Sequence, residues 1–277
     1  MQLSVLIPVY RYDCSSLVAS LRSQAAADGV DCEVLTADDE VLQLGRAAVR
    51  NHLARQAGGE LLLFMDCDAT LLGDHFLSDC LTRWQRESKT RNAPVVLCPR
   101  LCHAERLPSP EVSLRWRYEH RADKHRSAAE RNASPYSRFT TFCFLMAREQ
   151  FLQVLFDEDC KGYGHEDTLF GAELQHRAIP VVHTDIPLRH DGLEPNAVYL
   201  SKTRSAIESL HARSSELAGY SPLLAAASRL ERLHLLGIFA WLFRRLRPCM
   251  ERNLKGSHPS LLLFKLYKLG YYASLHH

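Results

Sequence analysis

An apolar run, Leu61-Leu62-Leu63-Phe64-Met65, breaks off into Asp66-Cys67-Asp68. Such a run reads as a buried strand that leaves the core and ends at the carboxyl edge of a sheet. Side chains i and i+2 of a strand point the same way, so Asp66 and Asp68 can face one site at that edge. Two carboxylates there are hard oxygen donors. They suit Mg²⁺ or Mn²⁺ carrying a diphosphate, because the cation neutralises the phosphate oxygens. Alone, Asp-x-Asp is a weak signal, since most copies are solvated turn carboxylates. Its neighbours carry the argument.

Upstream, Ser4-Val5-Leu6-Ile7-Pro8-Val9 reads as a buried parallel strand, followed by a helical stretch from Ser15 to Ala27. Glu33 to Ala37 is a second short strand that runs into Asp38-Asp39-Glu40, and Arg46 to Gln56 is helix-like, stopped by Gly58-Gly59. Asp74 to Arg86 predicts another helix and Pro94 to Cys98 another strand. Strand and helix therefore alternate through about residue 100, the pattern of a doubly wound, mostly parallel sheet in an α/β fold. Residues 103–138, rich in Arg, His, Glu and Ser, read as a solvated helix and loop, with a mobile segment over the site as the alternative. Strand character returns from Phe139 to Met146. A helix follows from Glu166 to Arg177, then short strands at Val181 to His183 and Leu188 to His190. From about residue 199 the chain reads as all-helical.

At 277 residues the chain can bury a full core. Its 34 basic and 32 acidic residues leave a net charge of +2, which argues against bulk nucleic-acid binding. Nine scattered cysteines without a C-x-x-C pair point to reduced thiols rather than a disulfide framework or zinc site. Met1 to Tyr10 lacks the basic start and cleavage site of a secretory signal. The longest apolar run, Leu235 to Phe243, falls far short of the ~20 residues of a spanning helix. A cytoplasmic protein is expected. Its basic C-terminal helices, with Arg244, Arg245, Arg247, Lys265 and Lys268, either pack on the sheet domain or lie on the inner face of an anionic membrane.

Four blocks occur in order: Ser4 to Tyr10, the carboxylates Asp38-Asp39, the run from Arg50-Asn51 to Asp66-Cys67-Asp68, and Gly162-Tyr163-Gly164-His165-Glu166-Asp167. Together they resemble the family 2 glycosyltransferases with the GT-A fold, over residues 1–210, with 211–277 as a helical C-terminal extension. The segment GYGHEDTLFG, Gly162 to Gly171, followed by His190-Asp191-Gly192-Leu193-Glu194, resembles a bacterial subgroup of these enzymes.

The resemblance implies roles residue by residue. Pro8, Val9 and Tyr10 end the first strand, where such enzymes hold the nucleotide base and ribose. Asp38 and Asp39 match the acidic contact to the base, with a turn or cap pair as the plain alternative. Arg50 and Asn51 match a pair that shapes the donor site; Arg50 either approaches the diphosphate or is an exposed helix arginine. Asp66 and Asp68 match the metal-binding pair, although Ala69 stands where many relatives carry another carboxylate. His190 is a candidate further metal ligand, or a packed or acceptor-facing histidine. An imidazole suits Mn²⁺ better than Mg²⁺. Asp167 matches the general base and Glu166 an acceptor contact, positions also compatible with capping a helix start. Tyr163, Gly164 and His165 are candidates for approaching the acceptor sugar.

The implied activity is inverting, metal-dependent transfer of a hexose-type sugar from a nucleotide sugar, a UDP-sugar first among donors, to a glycan or lipid-linked glycan, as in polysaccharide biosynthesis. A nucleotidyltransferase would share the sheet, metal and diphosphate, but Tyr10-Arg11-Tyr12-Asp13 offers no Gly-rich phosphate loop. A non-catalytic glycan-binding protein of the same fold is the other alternative.

Overall fold

The computed structural model describes residues 2–124, 126–160 and 164–276. In chain order the first elements are β1 (Leu3–Val9), α1 (Ser15–Asp28), β2 (Cys32–Asp38), α2 (Asp39–Leu42), α3 (Arg46–Gln56), β3 (Leu61–Met65), β4 (Ala69–Leu71), α4 (Phe76–Arg91) and β5 (Val96–Cys102). They are followed by α5 (Ser113–Asp123), α6 (Ala128–Asn132), β6 (Cys143–Ala147), α7 (Arg148–Val154), α8 (Glu166–His176) and β7 (Val181–His190). Four helices close the chain: α9 (Asn196–Ala212), α10 (Pro222–Arg232), α11 (Leu236–Lys255) and α12 (Leu261–Leu275). The chain divides into two compact units. Among the described residues, the first holds 2–103, 123–160 and 166–192, and the second holds 104–122, 164–165 and 193–276.

The first unit is an α/β unit built on a seven-stranded sheet of order β2-β1-β3-β6-β5-β7-β4. Pairs β1–β2, β1–β3 and β5–β7 are parallel, while β3–β6, β5–β6 and β4–β7 are antiparallel. Because β6 runs against both of its neighbours, β1, β2, β3, β5 and β7 all point one way. Their carboxyl ends, Val9, Asp38, Met65, Cys102 and His190, therefore lie along one edge of the sheet, where open α/β sheets take their ligands.

Strand alternation builds two cores. Leu61, Leu63 and Met65 of β3 join Val5, Ile7, Leu17, Leu21 and Phe76 on one face. Leu62 and Phe64 point to the other, with Val49, Leu53, Phe144, Phe151, Phe156 and Phe170. Phe64 and Phe144 stack at 4.5 Å, and Phe156 and Phe170 at 4.2 Å. A strand buried on both faces reads as an unbroken apolar run, which is why β3 is so plain in the sequence. Gly59 precedes it because a Cβ there would stand 2.6 Å from Ser4 Oγ.

Two expectations need correction. The strands expected at 181–183 and 188–190 are one strand, β7. Its pairing with β5 jumps from Cys98↔His183 to Arg100↔Pro187, so a bulge absorbs the polar and proline-containing stretch that reads as a break. The segment 103–138 is not simply solvated. Arg131 is 7% exposed and donates to the carbonyls of Pro99 and Thr184 and to His183 Nδ1. Burial, with the Arg131 charge beside it, pushes the His183 imidazole down to about 4, so the ring stays neutral and can accept that bond.

In the second unit, Leu114, Leu200, Phe243, Met250, Leu254, Phe264 and Tyr267 form a separate core. Asn196 ties it together: its Oδ1 accepts from Leu114 N at 2.7 Å, and its Nδ2 donates to Gly256 O at 2.8 Å. Among the described residues, no helix is long and apolar enough to cross a membrane.

Candidate active site

The edge begins where β1 and β2 end side by side. Val9 pairs with Asp38, and Tyr10 stands beyond them 53% exposed. Asp38 caps α2, accepting from Glu40 N at 2.9 Å. Asp39 Oδ1 accepts from Leu44 N at 3.0 Å and Gly45 N at 2.8 Å, shaping the turn into α3. Of the two, Asp38 is the exposed one.

On α3, Arg50 is buried, with its side chain 3% exposed, and is not a surface arginine. Its Nη2 donates to Asp66 Oδ1 at 2.7 Å, and its Nη1 lies 4.0 Å from Glu166 Oε1. Arg46, which sequence reasoning did not single out, brings Nη1 to 3.9 Å from the same Glu166 oxygen. Arg50 thus joins the end of β3 to the start of α8, bringing Asp66 and Glu166 together although they lie 100 residues apart in the chain (166 − 66). Asn51 turns elsewhere. Fully buried, it donates to Phe156 O and Glu158 Oε1 and accepts from Phe156 N, each at 2.9 Å, so its amide clamps the loop after α7.

Removal from water pushes the Asp66 carboxyl up, and the Asp68 charge adds to that, against the pull of Arg50. Asp167 is pushed up to about 6, first by burial and then by the charge of Glu166. Its Oδ1 accepts from Thr168 N at 2.7 Å, the local bond of a helix start, which opposes the shift without cancelling it. Glu166 is buried, and its Oε2 has no hydrogen-bond partner among the described residues. A buried carboxylate oxygen left so marks a place where a polar ligand gains most.

Asp68 faces His190, with Oδ2 at 3.1 Å from Nε2. The meeting follows from sheet register, since Ala69 of β4 pairs with His190 of β7. The backbone closes on it too: Asp191 N donates to Asp68 O at 3.0 Å. Asp191 is held by Arg189 through two bonds of 2.7 and 2.9 Å and by Thr70 Oγ1. Burial alone would push Asp191 up, but these partners hold it below the usual carboxylate range. Gly192 leaves the space Asp68 occupies: a Cβ there would fall 1.9 Å from Asp68 Oδ2. Gly192 lies in the block that follows His190 in the sequence, but its role beside Asp68 shows only in the fold, and Arg46 carries no sequence signal at all. The donor set of Asp68, His190 and the nearby Asp66 mixes carboxylate oxygen with imidazole nitrogen, which fits a divalent cation of the Mn²⁺ type.

Of the acceptor candidates, Tyr163 lies outside the described residues. Gly164 has φ +92°, and a Cβ on it would come within 3.1 Å of Ala206 Cβ, so both conformation and space call for glycine. His165, at φ +74°, has its Nε2 3.0 Å from Ala206 O.

No family model matches the chain, and no curated protein matches it. Solved structures do. The mannosyltransferase PcManGT from Pyrobaculum calidifontis, in complex with GDP-Man and Mn²⁺, superposes with a TM-score of 0.52 at 14% identity, covering 99% of this chain and 86% of that one. TarS of S. aureus in complex with UDP-GlcNAc gives 0.48 at 15% identity, over 100% and 92% of the two chains. A Drosophila β1,4-galactosyltransferase 7 complexed with manganese, UDP-Gal and xylobiose gives 0.42 at 15% identity, over 70% and 66%. At such identities the likeness is one of fold, and that fold is the GT-A fold of glycosyltransferases.

Proposed function

We propose that the protein is an inverting, metal-dependent glycosyltransferase of the family 2 type. It moves a hexose-type sugar from a nucleotide sugar, a UDP-sugar first, to a hydroxyl of a glycan or lipid-linked glycan, a step suited to bacterial polysaccharide assembly. Residues 1–210 form the donor-binding and catalytic part in this reading, and 211–277 the helical extension. The observation that carries it is the buried Arg50, which bonds Asp66 at 2.7 Å and reaches Glu166 at 4.0 Å. It links the strand-end carboxylates of a diphosphate site to the helix-start carboxylates of a base.

In this mechanism Pro8, Val9, Tyr10, Asp38 and Asp39 receive the base and ribose, and Arg50 shapes the donor site, with Asn51 supporting it from behind through the loop after α7. Asp66, Asp68 and His190 hold the cation, which when bound supplies positive charge to the diphosphate. Glu166, with Gly164, His165 and Tyr163, orients the acceptor. Asp167 takes the proton of the acceptor hydroxyl as that oxygen bonds to the anomeric carbon. The bond from that carbon to the diphosphate breaks on the opposite face, and the nucleoside diphosphate leaves with the bonding pair. A carboxyl raised to about 6 is deprotonated at neutral pH yet more basic than an ordinary one, as a general base should be. The test is a thermal-shift panel of nucleotides and nucleotide sugars with and without Mn²⁺. A metal-dependent rise with one nucleoside diphosphate is expected, with sugar transfer from its sugar conjugate. Release of pyrophosphate from a nucleoside triphosphate would instead make it a nucleotidyltransferase, and no response to any nucleotide a non-catalytic protein.

The second unit supports the proposed peripheral membrane contact. Ile238, Trp241, Leu242 and Leu246, on one face of α11, are 63%, 54%, 44% and 46% exposed. From Arg232 to Met250 there is no acidic residue, and Arg244 and Arg245 stand among the apolar side chains, whereas Arg247 bonds Glu251 at 2.9 Å. An apolar, Trp-bearing face rimmed by arginine is complementary to an anionic bilayer. Full-length protein should pellet with anionic but not neutral liposomes, and the double variant Ile238→Ser, Trp241→Ser should stay in solution. Equal pelleting of both proteins would remove the proposal, and a dimer broken by the same variant would assign the face to a second copy.

A further inference from the structure

A second imidazole stands beside His190. His103 follows β5 directly and has a side chain only 1% exposed. Its Nδ1 lies 2.9 and 3.1 Å from the two oxygens of Asp123. A carboxylate can only accept, so Nδ1 carries a proton, and in the neutral form of the ring the lone pair is then on Nε2. Metal-ligating histidines are oriented in this way, one nitrogen donating to a carboxylate and the other turned to the cation. The His103 ring stands edge-on to His190, with centroids 5.7 Å apart and planes at 75°. A ring nitrogen of each lies within 4.8 Å of the other, and His190 Nε2 is 3.1 Å from Asp68 Oδ2. Phe142 also stands edge-on to His190, with centroids 5.5 Å apart. The nitrogens of His103 and His190 are therefore close enough to face one cation, and Asp68 adjoins His190.

We infer that His103, oriented by Asp123, is a further ligand of the cation held at Asp68 and His190. The site then selects a transition ion such as Mn²⁺ over Mg²⁺, which favours oxygen ligands and retained waters. The inference rests on the metal reading above but can fail separately from it. A purely structural His103–Asp123 pair, fastening the end of β5, would affect folding and leave the ion's ligands untouched.

The test is pulsed EPR on Mn²⁺ bound to the full-length protein, which counts coordinated imidazole nitrogens without any substitution. Two coupled nitrogens are expected in the wild type and one in His103→Phe, a variant that keeps an edge-on ring beside His190. The variant should also lose ~10–100-fold in Mn²⁺ affinity, as loss of a supporting or direct contact does, with Mg²⁺ affinity changed far less. A single coupled nitrogen in the wild type would overturn the His103 assignment while the metal reading stands. Failure of the wild type to bind Mn²⁺, with or without nucleoside diphosphate, would overturn both.

Discussion

Two groups of buried or half-buried carboxylates sit in this protein, and they are neutralised in opposite ways. In the second unit, Glu251 receives Lys255 at 2.7 Å, Arg247 and the Tyr267 hydroxyl at 2.9 Å, and Arg204 at 3.2 Å. Burial alone would push its carboxyl up, but these partners outweigh it and hold it at about 2. In the first unit, four carboxylates, Asp66, Asp68, Glu166 and Asp167, gather around the ends of β3 and α8, with Arg50 buried among them and Arg46 still 47% exposed. There Asp66 and Asp167 are pushed up. The Glu251 group is a finished network. The other, among the described residues, has Arg50 and Arg46 set against four carboxylates. Such a deficit persists where a ligand completes the site.

The largest expected effect tests the carboxylate proposed to react. Asp167→Asn should lower kcat by about 10³-fold or more while nucleoside diphosphate with Mn²⁺ still raises the melting temperature. Transfer at the wild-type rate would show that Asp167 only starts α8. Next comes the finished network. Glu251→Gln leaves three cations around a neutral amide and should cost about 2–3 kcal/mol, less than a fully buried pair because Glu251 is 15% exposed. Denaturant titration measures that loss. A variant as stable as the wild type would mean the network is no more than surface pairing.

The unequal legibility of the two groups has a physical origin. The strand ends of the first unit show in the sequence because an apolar run stopped by Asp66 or Asp38 is a local pattern, and α3 and β3 occupy the residues expected. Asp68 and His190 were both legible as candidates, but their meeting depends on the pairing of β4 with β7, which no local signal carries. His103 and Asp123 fall in a segment that reads as solvated. Their burial comes from the end of β5 and a contact 20 residues apart. Asn51 shows the reverse case: it stands beside Arg50 in sequence, yet its side chain turns to Phe156. Arg131 likewise reads as surface charge until β7 folds over it.

A smaller effect tests whether shape alone maintains the unfinished site. Gly192 lies outside the left-handed backbone region, so alanine fits its backbone, but the added Cβ would fall 1.9 Å from Asp68 Oδ2. Gly192→Ala should fold with a near-normal midpoint and lose ~10–100-fold in metal-dependent nucleotide affinity, the usual cost of disturbing a ligand's support. Calorimetric titration with nucleoside diphosphate and Mn²⁺ gives the value. Unchanged affinity would show that Asp68 has another position from which to serve the site.

The smallest effect turns the comparison into opposite signs on a pH axis. Asp167 is raised from 3.8 to about 6, so its folding contribution is fully present below pH 4 and is lost as pH rises through 6. Glu251 is depressed from 4.5 to about 2, so its contribution is present above pH 4.5 and is lost as pH falls toward 2. Asp167→Asn should therefore gain on the wild type between pH 4 and 6, by about 1–2 kcal/mol after discounting for partial exposure. Glu251→Gln should be poorest above pH 4.5 and converge on the wild type in acid. Melting curves of the three proteins from pH 3 to 8 separate the two slopes. A stability gap between Asp167→Asn and wild type that stays flat from pH 4 to 7 would mean that the recess does not resist the Asp167 charge. Asp167 would then not belong to the charge-deficient group. If the gap opens as expected, wild-type kcat/KM should fall below pH 6 along the same titration, because one proton then sets both the folding cost and the supply of base.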